Sequence, residues 1–308
     1  MKVLFITDVT DWETAISVFE KEKPTVVFIG GDVVSDGFAH YWMTPPVGDY
    51  ETNLKIINFL RKNQSEIEKT KWGSRLRDIT SKLENNELFD ETGYYRFETG
   101  LTNTLRLLLK WIFDEIDSRA IYASNENKGT WRKKMEEFYV DLVESYRKTE
   151  TFQKHVQNHV NLFYDFISYA GEITGNVYVV KGNHDGYGDY YDVDRINNIV
   201  GCREISGKTI KVDNLTVLGL GYDETHYLRK LRPLLEEYSN KVDFVLTHAE
   251  EKRVKLIADI KPKIVFRGHY RVGNYRINDV DFVSAIFPSY VTVELQDEII
   301  KNIQYHKH

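Results

Sequence analysis

The two ends of the chain alternate short apolar runs with amphipathic segments. A run at 2–7 predicts a β-strand, and a run at 25–29 predicts a second strand. Between these runs, Ala15, Val18 and Phe19 fall on one face of a predicted helix. The chain therefore opens with a predicted strand, helix and strand.

The same alternation returns in the second half of the chain. Turn residues at Asp213 and Asn214 predict that one of its apolar runs folds as a hairpin. The predicted strands lie at 176–181, 210–220, 242–247, 263–267 and 281–304, the last with a turn near Asp297, and a short helix is predicted at 250–259. We expect both ends of the chain to form one layered α/β domain.

The middle of the chain carries helical rather than strand patterns. Apolar residues recur at helical spacing from Leu101 to Ile116 and again from Met135 to Tyr146. A further stripe from Val156 to Ala170 runs into the strand at 176 and predicts a crossover helix. These patterns predict a split domain at 1–40 and 151–308, with a helical insertion at 41–150. The insertion is a candidate lid or cap, or a subdomain that only stabilises the fold.

Composition limits the classes of protein. Of the 308 residues, 42% are apolar and 29% are charged, a balance typical of folded globular chains. The single cysteine excludes an internal disulfide and favours a reducing compartment. The net charge of −6 disfavours extended nucleic-acid binding, although positions 267–276 contain three arginines. Because the sequence has no long apolar run, we expect no membrane partner and a cytoplasmic location.

Polar side chains follow the predicted strands where those strands end. Asp8 follows the first, Gly31 and Asp32 the second, and Asn183 and His184 the third. His248 and His269 follow two later strands. Ligands in α/β proteins bind at the carboxyl ends of parallel strands, and carboxylates, amides and imidazoles suit Mn, Fe, Zn or Ni. The sequence thus predicts a divalent metal site there, with small glycines beside it.

Taken in order, these blocks resemble the calcineurin-like metallophosphoesterase superfamily, whose pattern is DxH, GDxxx, GNH(D/E), a later His, and GHxH. The resemblance covers positions 1–40 and about 152–308. It implies a layered α/β/β/α sandwich with a large helical insertion. It also implies metal-dependent hydrolysis of phosphate esters by a metal-bound water, as a phosphatase or phosphodiesterase acting on a small phosphorylated substrate.

The resemblance also assigns roles to single residues. It makes Asp32 a bridge between two metals, with the second site completed by three further ligands, Asn183, His248 and His269. His184 would donate a proton to the leaving oxygen or stabilise the transition state. Asp36 or Asp185 would orient His184, because the family's usual partner position holds Ser35.

Two positions depart from the family pattern, and both belong to the first metal. Thr10 stands where the family has the His of DxH, and Arg271 replaces the last His of GHxH. The first site would keep Asp8 and Asp32, so we expect it to be weak or empty. The second site would hold Mn, Fe, Zn or Ni. Arg271 offers no lone pair to a metal, but its guanidinium can pair with Asp8 or bind a phosphate.

Other readings stay open. The chain can be a binding platform that has lost catalytic ligands, or a nuclease with a local basic groove. His40 and His226 are weaker candidates for a missing ligand. Tyr187, Tyr190 and Tyr191 can stack an aromatic group, although loop packing is the simpler explanation for them.

Overall fold

The computed structural model describes residues 1–33, 58–68, 147–185, 191–269 and 273–307, with single positions at 55, 77, 81, 137, 138, 141, 144 and 145. Its strands are β1 (Lys2–Ile6), β2 (Val26–Ile29), β3 (Val177–Val179), β4 (Cys202–Glu204), β5 (Thr209–Val212), β6 (Leu215–Leu220), β7 (Phe244–Thr247), β8 (Ile264–Arg267), β9 (Gly273–Ile277), β10 (Val280–Ser284), β11 (Tyr290–Gln296) and β12 (Ile299–His306). Its α-helices are α1 (Trp12–Glu22), α2 (Gln64–Ile67), α3 (Glu150–Thr174), α4 (Val193–Asn197), α5 (Tyr222–His226), α6 (Leu228–Tyr238) and α7 (Val254–Ala258), with a 3₁₀ turn at Glu251–Arg253.

The predicted opening unit is confirmed. Asp11 caps α1 by accepting a hydrogen bond from the Thr14 amide at 3.1 Å, and Lys23 ends the helix in a left-handed conformation. Strands β1 and β2 then pair in parallel. The predicted crossover helix is also confirmed, because α3 leads into β3, which pairs in parallel with β2.

The strands form two six-stranded mixed sheets. The first has the order β12-β11-β1-β2-β3-β4, and the second has the order β5-β6-β7-β8-β10-β9. Neighbours from β1 to β4 are parallel, as are neighbours along β6, β7, β8 and β10, while antiparallel strands lie at the edges. Each sheet therefore has a parallel centre whose carboxyl ends lie at one edge.

An apolar core lies between the two sheets. It joins Phe5 and Phe28 of the first sheet to Phe244 and Phe266 of the second, and all four are buried. The ring of Phe266 lies 5.5 Å from that of Phe5, 5.1 Å from that of Phe28 and 5.6 Å from that of Phe244. The contacts with Phe28 and Phe244 are edge to face and the contact with Phe5 is tilted, and the contacts with Phe5 and Phe28 join the two sheets.

Helices cover the outer faces of both sheets. Phe19 of α1 stacks on Phe166 of α3 at 5.7 Å beside the first sheet. Leu231 of α6 and Ile257 of α7 join the apolar cluster on the outer face of the second sheet. The part of the chain that contains the twelve described strands is therefore an α/β sandwich with two mixed sheets at its centre.

The chain divides into two compact units, Met1–Ala39 with Val156–His308, and His40–His155. Most of the helical insertion predicted at 41–150, with both of its apolar stripes, lies outside the described residues. Within the described part of the chain, no helix combines the length and apolar character needed to cross a bilayer.

Candidate metal centre

Four predicted ligands come together at the carboxyl edge of the two sheets. Asp32 follows β2 and Asn183 follows β3, while His248 and His269 follow β7 and β8 of the other sheet. The ligand atoms of Asp32, His248 and His269 all lie within 4.8 Å of one another. These three side chains are buried, at 5%, 0% and 7% exposure. The centre is therefore built by both sheets and is largely shielded from solvent.

The Nε2 atom of His248 lies at the middle of this group. It is 3.1 Å from the Asp32 Oδ2 atom, 3.0 Å from the Asn183 Oδ1 atom and 3.1 Å from the His269 Nδ1 atom. One carboxylate, one amide oxygen and two imidazole nitrogens thus face a single point. These are the four residues predicted for the second metal site.

A backbone carbonyl orients the His248 ring. Its Nδ1 atom lies 2.7 Å from the Gly30 carbonyl oxygen, which can only accept a hydrogen bond. Nδ1 therefore carries a hydrogen, so Nε2 is the nitrogen that would offer its lone pair to a cation at the centre. Metal-binding histidines are oriented in this way by their outer nitrogen.

The charges of the group favour a cation at its centre. Burial opposes charging of His248, but the Asp32 carboxylate outweighs it and raises the pKa of His248 to about 9. Burial, and then the charge of His248, lower the pKa of His269 to about 4. Burial also works against ionised Asp32, yet His248 holds the pKa of Asp32 below its ordinary value. A positive charge between Asp32 and the two rings is therefore stabilised.

Three candidate ligands adopt left-handed backbone conformations. The φ angle is 55° at Asp8, 53° at Asp32 and 74° at His269. This region is uncommon for residues other than glycine, although Asp and His enter it more often than most other residues. Such strain persists where the surrounding structure imposes it, and it clusters at functional sites.

Asp185 connects the two loops that carry Asp32 and Asn183. Its buried carboxylate accepts hydrogen bonds from the amides of Asp32 at 2.9 Å, Val33 at 3.0 Å and Gly182 at 2.6 Å. Burial, and then the Asp32 charge, raise the pKa of Asp185 to about 7. The family resemblance offered Asp36 or Asp185 as the residue that orients His184, and it did not predict these three hydrogen bonds.

Two predicted glycines allow close approach at the centre. A Cβ atom on Gly182 would overlap the Asp32 carboxylate and amide. A Cβ atom on Gly268 would overlap the Thr7 hydroxyl and lie 2.7 Å from the His248 Nδ1 atom. A side chain at either position would therefore displace a ligand.

Asp8 lies beside the group of four ligands. Its Oδ2 atom accepts hydrogen bonds from the Thr7 hydroxyl at 2.7 Å and the His269 amide at 3.3 Å. Burial raises the pKa of Asp8, against the opposing effect of His248. Thr10, which replaces a first-site histidine of the family, is half-buried in the same loop.

His184 lies next to Asp32. Its amide donates to the Asp32 Oδ1 atom at 2.7 Å, and its Nε2 atom lies 3.8 Å from the Asp32 Oδ2 atom. Its side chain is 29% exposed, so it can reach a bound ligand. The other two predicted catalytic residues, Asp36 and Arg271, lie outside the described residues, as do His40, Tyr187 and Tyr190.

A cleft of about 300 Å³ adjoins the centre. It shares Asn183 and His269 with the metal group, and its remaining lining residues are Tyr222, Glu250, Glu251 and Arg267. None of these four residues was predicted as part of a site. The available signals were Tyr222 after the end of β6, the two glutamates after His248, and an arginine ending the apolar strand β8.

His226, a weaker candidate for a missing ligand, lies at the rim near the cleft. Its Nδ1 atom is 3.4 Å from the Glu250 Oε1 atom, and its ring lies 5.0 Å from that of Tyr222. Among the described residues, the group that could hold a metal consists of Asp32, His248 and His269 and does not include His226.

Comparisons with known proteins identify no function for this chain. No protein-family model matches the chain, and no curated protein matches it. One solved crystal structure aligns over 98% of this chain and 98% of its own, at 11% identity and a TM-score of 0.47. The crystal structure of TT1561 of Thermus thermophilus aligns over 48% of this chain and 79% of its own, at 14% identity and a TM-score of 0.38. Both likenesses are too distant to support a function.

Proposed function

We propose that this chain is a metal-dependent hydrolase of phosphate esters, of the calcineurin-like metallophosphoesterase kind. The observation that carries the proposal is the convergence of Asp32, Asn183 and His269 on the Nε2 atom of His248. Four donor groups facing one point, at the carboxyl edge of parallel strands, are the arrangement that a divalent cation requires.

The donor set fits Mn, Fe, Zn or Ni. Asp32, Asn183, His248 and His269 would hold the cation, and the Gly30 carbonyl already fixes the metal-binding tautomer of His248. A divalent cation at such a site supplies a Lewis acid for the phosphoryl group and lowers the pKa of a bound water.

The protein's own side chains would perform two further tasks. His184 is partly exposed beside Asp32, which suits a side chain that gives a proton to the leaving oxygen. Asp185 would keep the loops of Asp32 and Asn183 together through its three amide hydrogen bonds. Arg271, which stands where the family has a metal-binding histidine, would bind the phosphate through its guanidinium or pair with Asp8.

We further propose that one metal binds firmly and that the first site of the family is weak. The two first-site histidines of the family are replaced here by Thr10 and Arg271, which supports this view. Metal content after equilibrium dialysis should approach one ion per chain. Two tightly held ions per chain would contradict the proposal.

The activity is tested with an aryl phosphate monoester and the matching diester, each with Mn, Mg, Zn, Ni and no metal. Unmodified protein should show metal-dependent turnover, and His184→Ala and His269→Ala should lose it. His269→Ala should also lose metal affinity, whereas His184→Ala should keep it. His306→Ala is the control, because His306 lies on β12 and stacks on Tyr290 at 4.3 Å, outside the group of ligands.

The outcomes separate the three readings of the sequence. A higher rate with the monoester supports a phosphatase, and a higher rate with the diester supports a phosphodiesterase. Cleavage of an oligonucleotide without cleavage of either aryl ester would support a nuclease. If the folded, metal-loaded protein hydrolyses none of these substrates, the proposed enzymatic activity is refuted and the binding-platform hypothesis stands.

A further inference from the structure

The cleft beside the metal centre is placed to hold the organic group of a phosphate ester. It shares Asn183 and His269 with the metal group. A phosphoryl group bound at these two residues would therefore direct its ester substituent toward the other lining residues, Tyr222, Glu250, Glu251 and Arg267. This step rests on the proposed function, and it concerns which substituent the cleft accepts.

Arg267 is a buried cation whose guanidinium is already bonded. The residue is 1% exposed. Its Nε atom donates to the Ala249 carbonyl at 2.8 Å, and its Nη1 atom donates to the Glu251 carboxylate at 2.7 Å and to the Tyr275 hydroxyl at 2.9 Å. The positive charge of Arg267 is thus compensated by Glu251 rather than offered to a second anion.

The other glutamate of the cleft is paired in the same way. One oxygen of Glu250 contacts the Lys252 ammonium, and the other lies 3.4 Å from the His226 Nδ1 atom. The cations described at this wall, Arg267 and Lys252, therefore each already have a glutamate partner.

We infer that the cleft binds a small, uncharged organic group against the Tyr222 ring and rejects a group that carries a second negative charge. An added carboxylate or phosphate would enter beside two glutamates, and to pair with either cation of the described cleft wall it would have to displace one of them. The volume of about 300 Å³ lies at the lower end for small-molecule sites, which suits a single ring.

The inference is tested by calorimetric binding of two non-hydrolysable probes to the full-length protein loaded with Mn²⁺. Phenylphosphonate should bind at least about 10-fold more tightly than 4-carboxyphenylphosphonate. Glu251→Gln should reduce this ratio to about 3-fold or less, because it frees the Arg267 guanidinium for the probe's carboxylate. Glu236→Gln is the matched control, since Glu236 is exposed on α6 and does not line the cleft, and it should keep the ratio.

Equal affinities for the two probes, binding of neither probe, or an unchanged ratio in Glu251→Gln would each overturn the inference. Turnover of phenyl phosphate is measured separately. Turnover together with equal probe affinities leaves the proposed function standing and refutes the selectivity of the cleft. The expected affinity ratio without turnover of phenyl phosphate supports the selectivity of the cleft and refutes the proposed hydrolase activity.

Discussion

Replacing Asp185 with asparagine removes one acceptor from a carboxylate that joins two ligand-bearing loops. One oxygen accepts from the amides of Asp32 and Gly182, and the other accepts from the amide of Val33. Asparagine keeps one oxygen, so its NH₂ group must face at least one of these amides. At least one buried N–H then loses its acceptor.

The expected cost follows from these contacts. A buried N–H without an acceptor costs about 1–3 kcal/mol, and each bond that loses its charged acceptor weakens by about 1 kcal/mol. Removing the negative charge of Asp185 offsets about 1 kcal/mol of this loss of stability, since the carboxylates of Asp185 and Asp32 repel each other. We expect Asp185→Asn to lower the free energy of unfolding by about 2–4 kcal/mol. Metal affinity should fall about 10- to 100-fold, as for other groups that orient ligands.

The assays are urea unfolding followed by circular dichroism, and metal binding followed by calorimetry. Asp192→Asn is the matched control, because Asp192 also accepts two backbone hydrogen bonds, but at the exposed start of α4. Asparagine caps helices as well as aspartate does, so this variant should change stability by less than about 0.5 kcal/mol. The reasoning fails if the two variants lose equal stability, or if Asp185→Asn binds metal normally.

Three further expectations follow from other contacts. Gly182→Ala should abolish metal binding, because its Cβ atom would overlap the Asp32 carboxylate. Gly175 has a left-handed backbone but open space around it, so Gly175→Ala should lose stability and keep metal binding. Burial lowers the pKa of His159 from 6.5 to about 4, so the unfolded chain takes up the proton at a higher pH than the folded chain does. Up to about 3 kcal/mol of the free energy of unfolding should therefore be lost as the pH falls from 6.5 to 4. Urea unfolding of His159→Leu over the same range should show a smaller loss, and equal losses would contradict the assignment. Arg267→Met should lower the free energy of unfolding in urea by about 2–4 kcal/mol, because it removes the hydrogen bonds that Arg267 donates to the Ala249 carbonyl and the Tyr275 hydroxyl. Arg276→Met is the control, and it should change this free energy by almost nothing because the Arg276 side chain is 63% exposed.

Much of the α/β unit could be predicted from the sequence because its strands are short and strongly apolar. The strands at β1, β2, β7 and β8 each lead to a polar residue that the structure places at the shared edge. Because parallel strands bring their carboxyl ends together, the order of the motifs was enough to predict that Asp32, Asn183, His248 and His269 meet.

Other elements carry too weak a pattern for this reasoning. Strand β4 has three residues, and β9 alternates half-buried and exposed positions without a fully apolar face. Helix α6 contains Pro233 and several charged residues, which conceal the buried positions Leu231 and Leu235. None of these three elements was predicted.

The role of Asp185 and the cleft depend on contacts that local sequence does not encode. Asp185 bonds to amides 152 and 153 positions earlier in the chain, on a loop that only the paired strands β2 and β3 bring near it. The cleft combines residues that follow β3, β6 and β7 with residues at the end of β8, and Arg267 meets Glu251 because β7 and β8 pair in parallel.

The aromatic contacts between the sheets also affect the geometry of the candidate metal centre. Phe266 precedes His269 by three positions and packs on Phe5 and Phe28 of the opposite sheet, whose strands lead to Asp8 and Asp32. The thickness of this ring cluster therefore sets how far apart ligands from the two sheets stand. A change of ring size at Phe266 would therefore change the spacing of the ligands and, if the proposed cation binds there, the ionic radius that the site prefers, without altering any ligand.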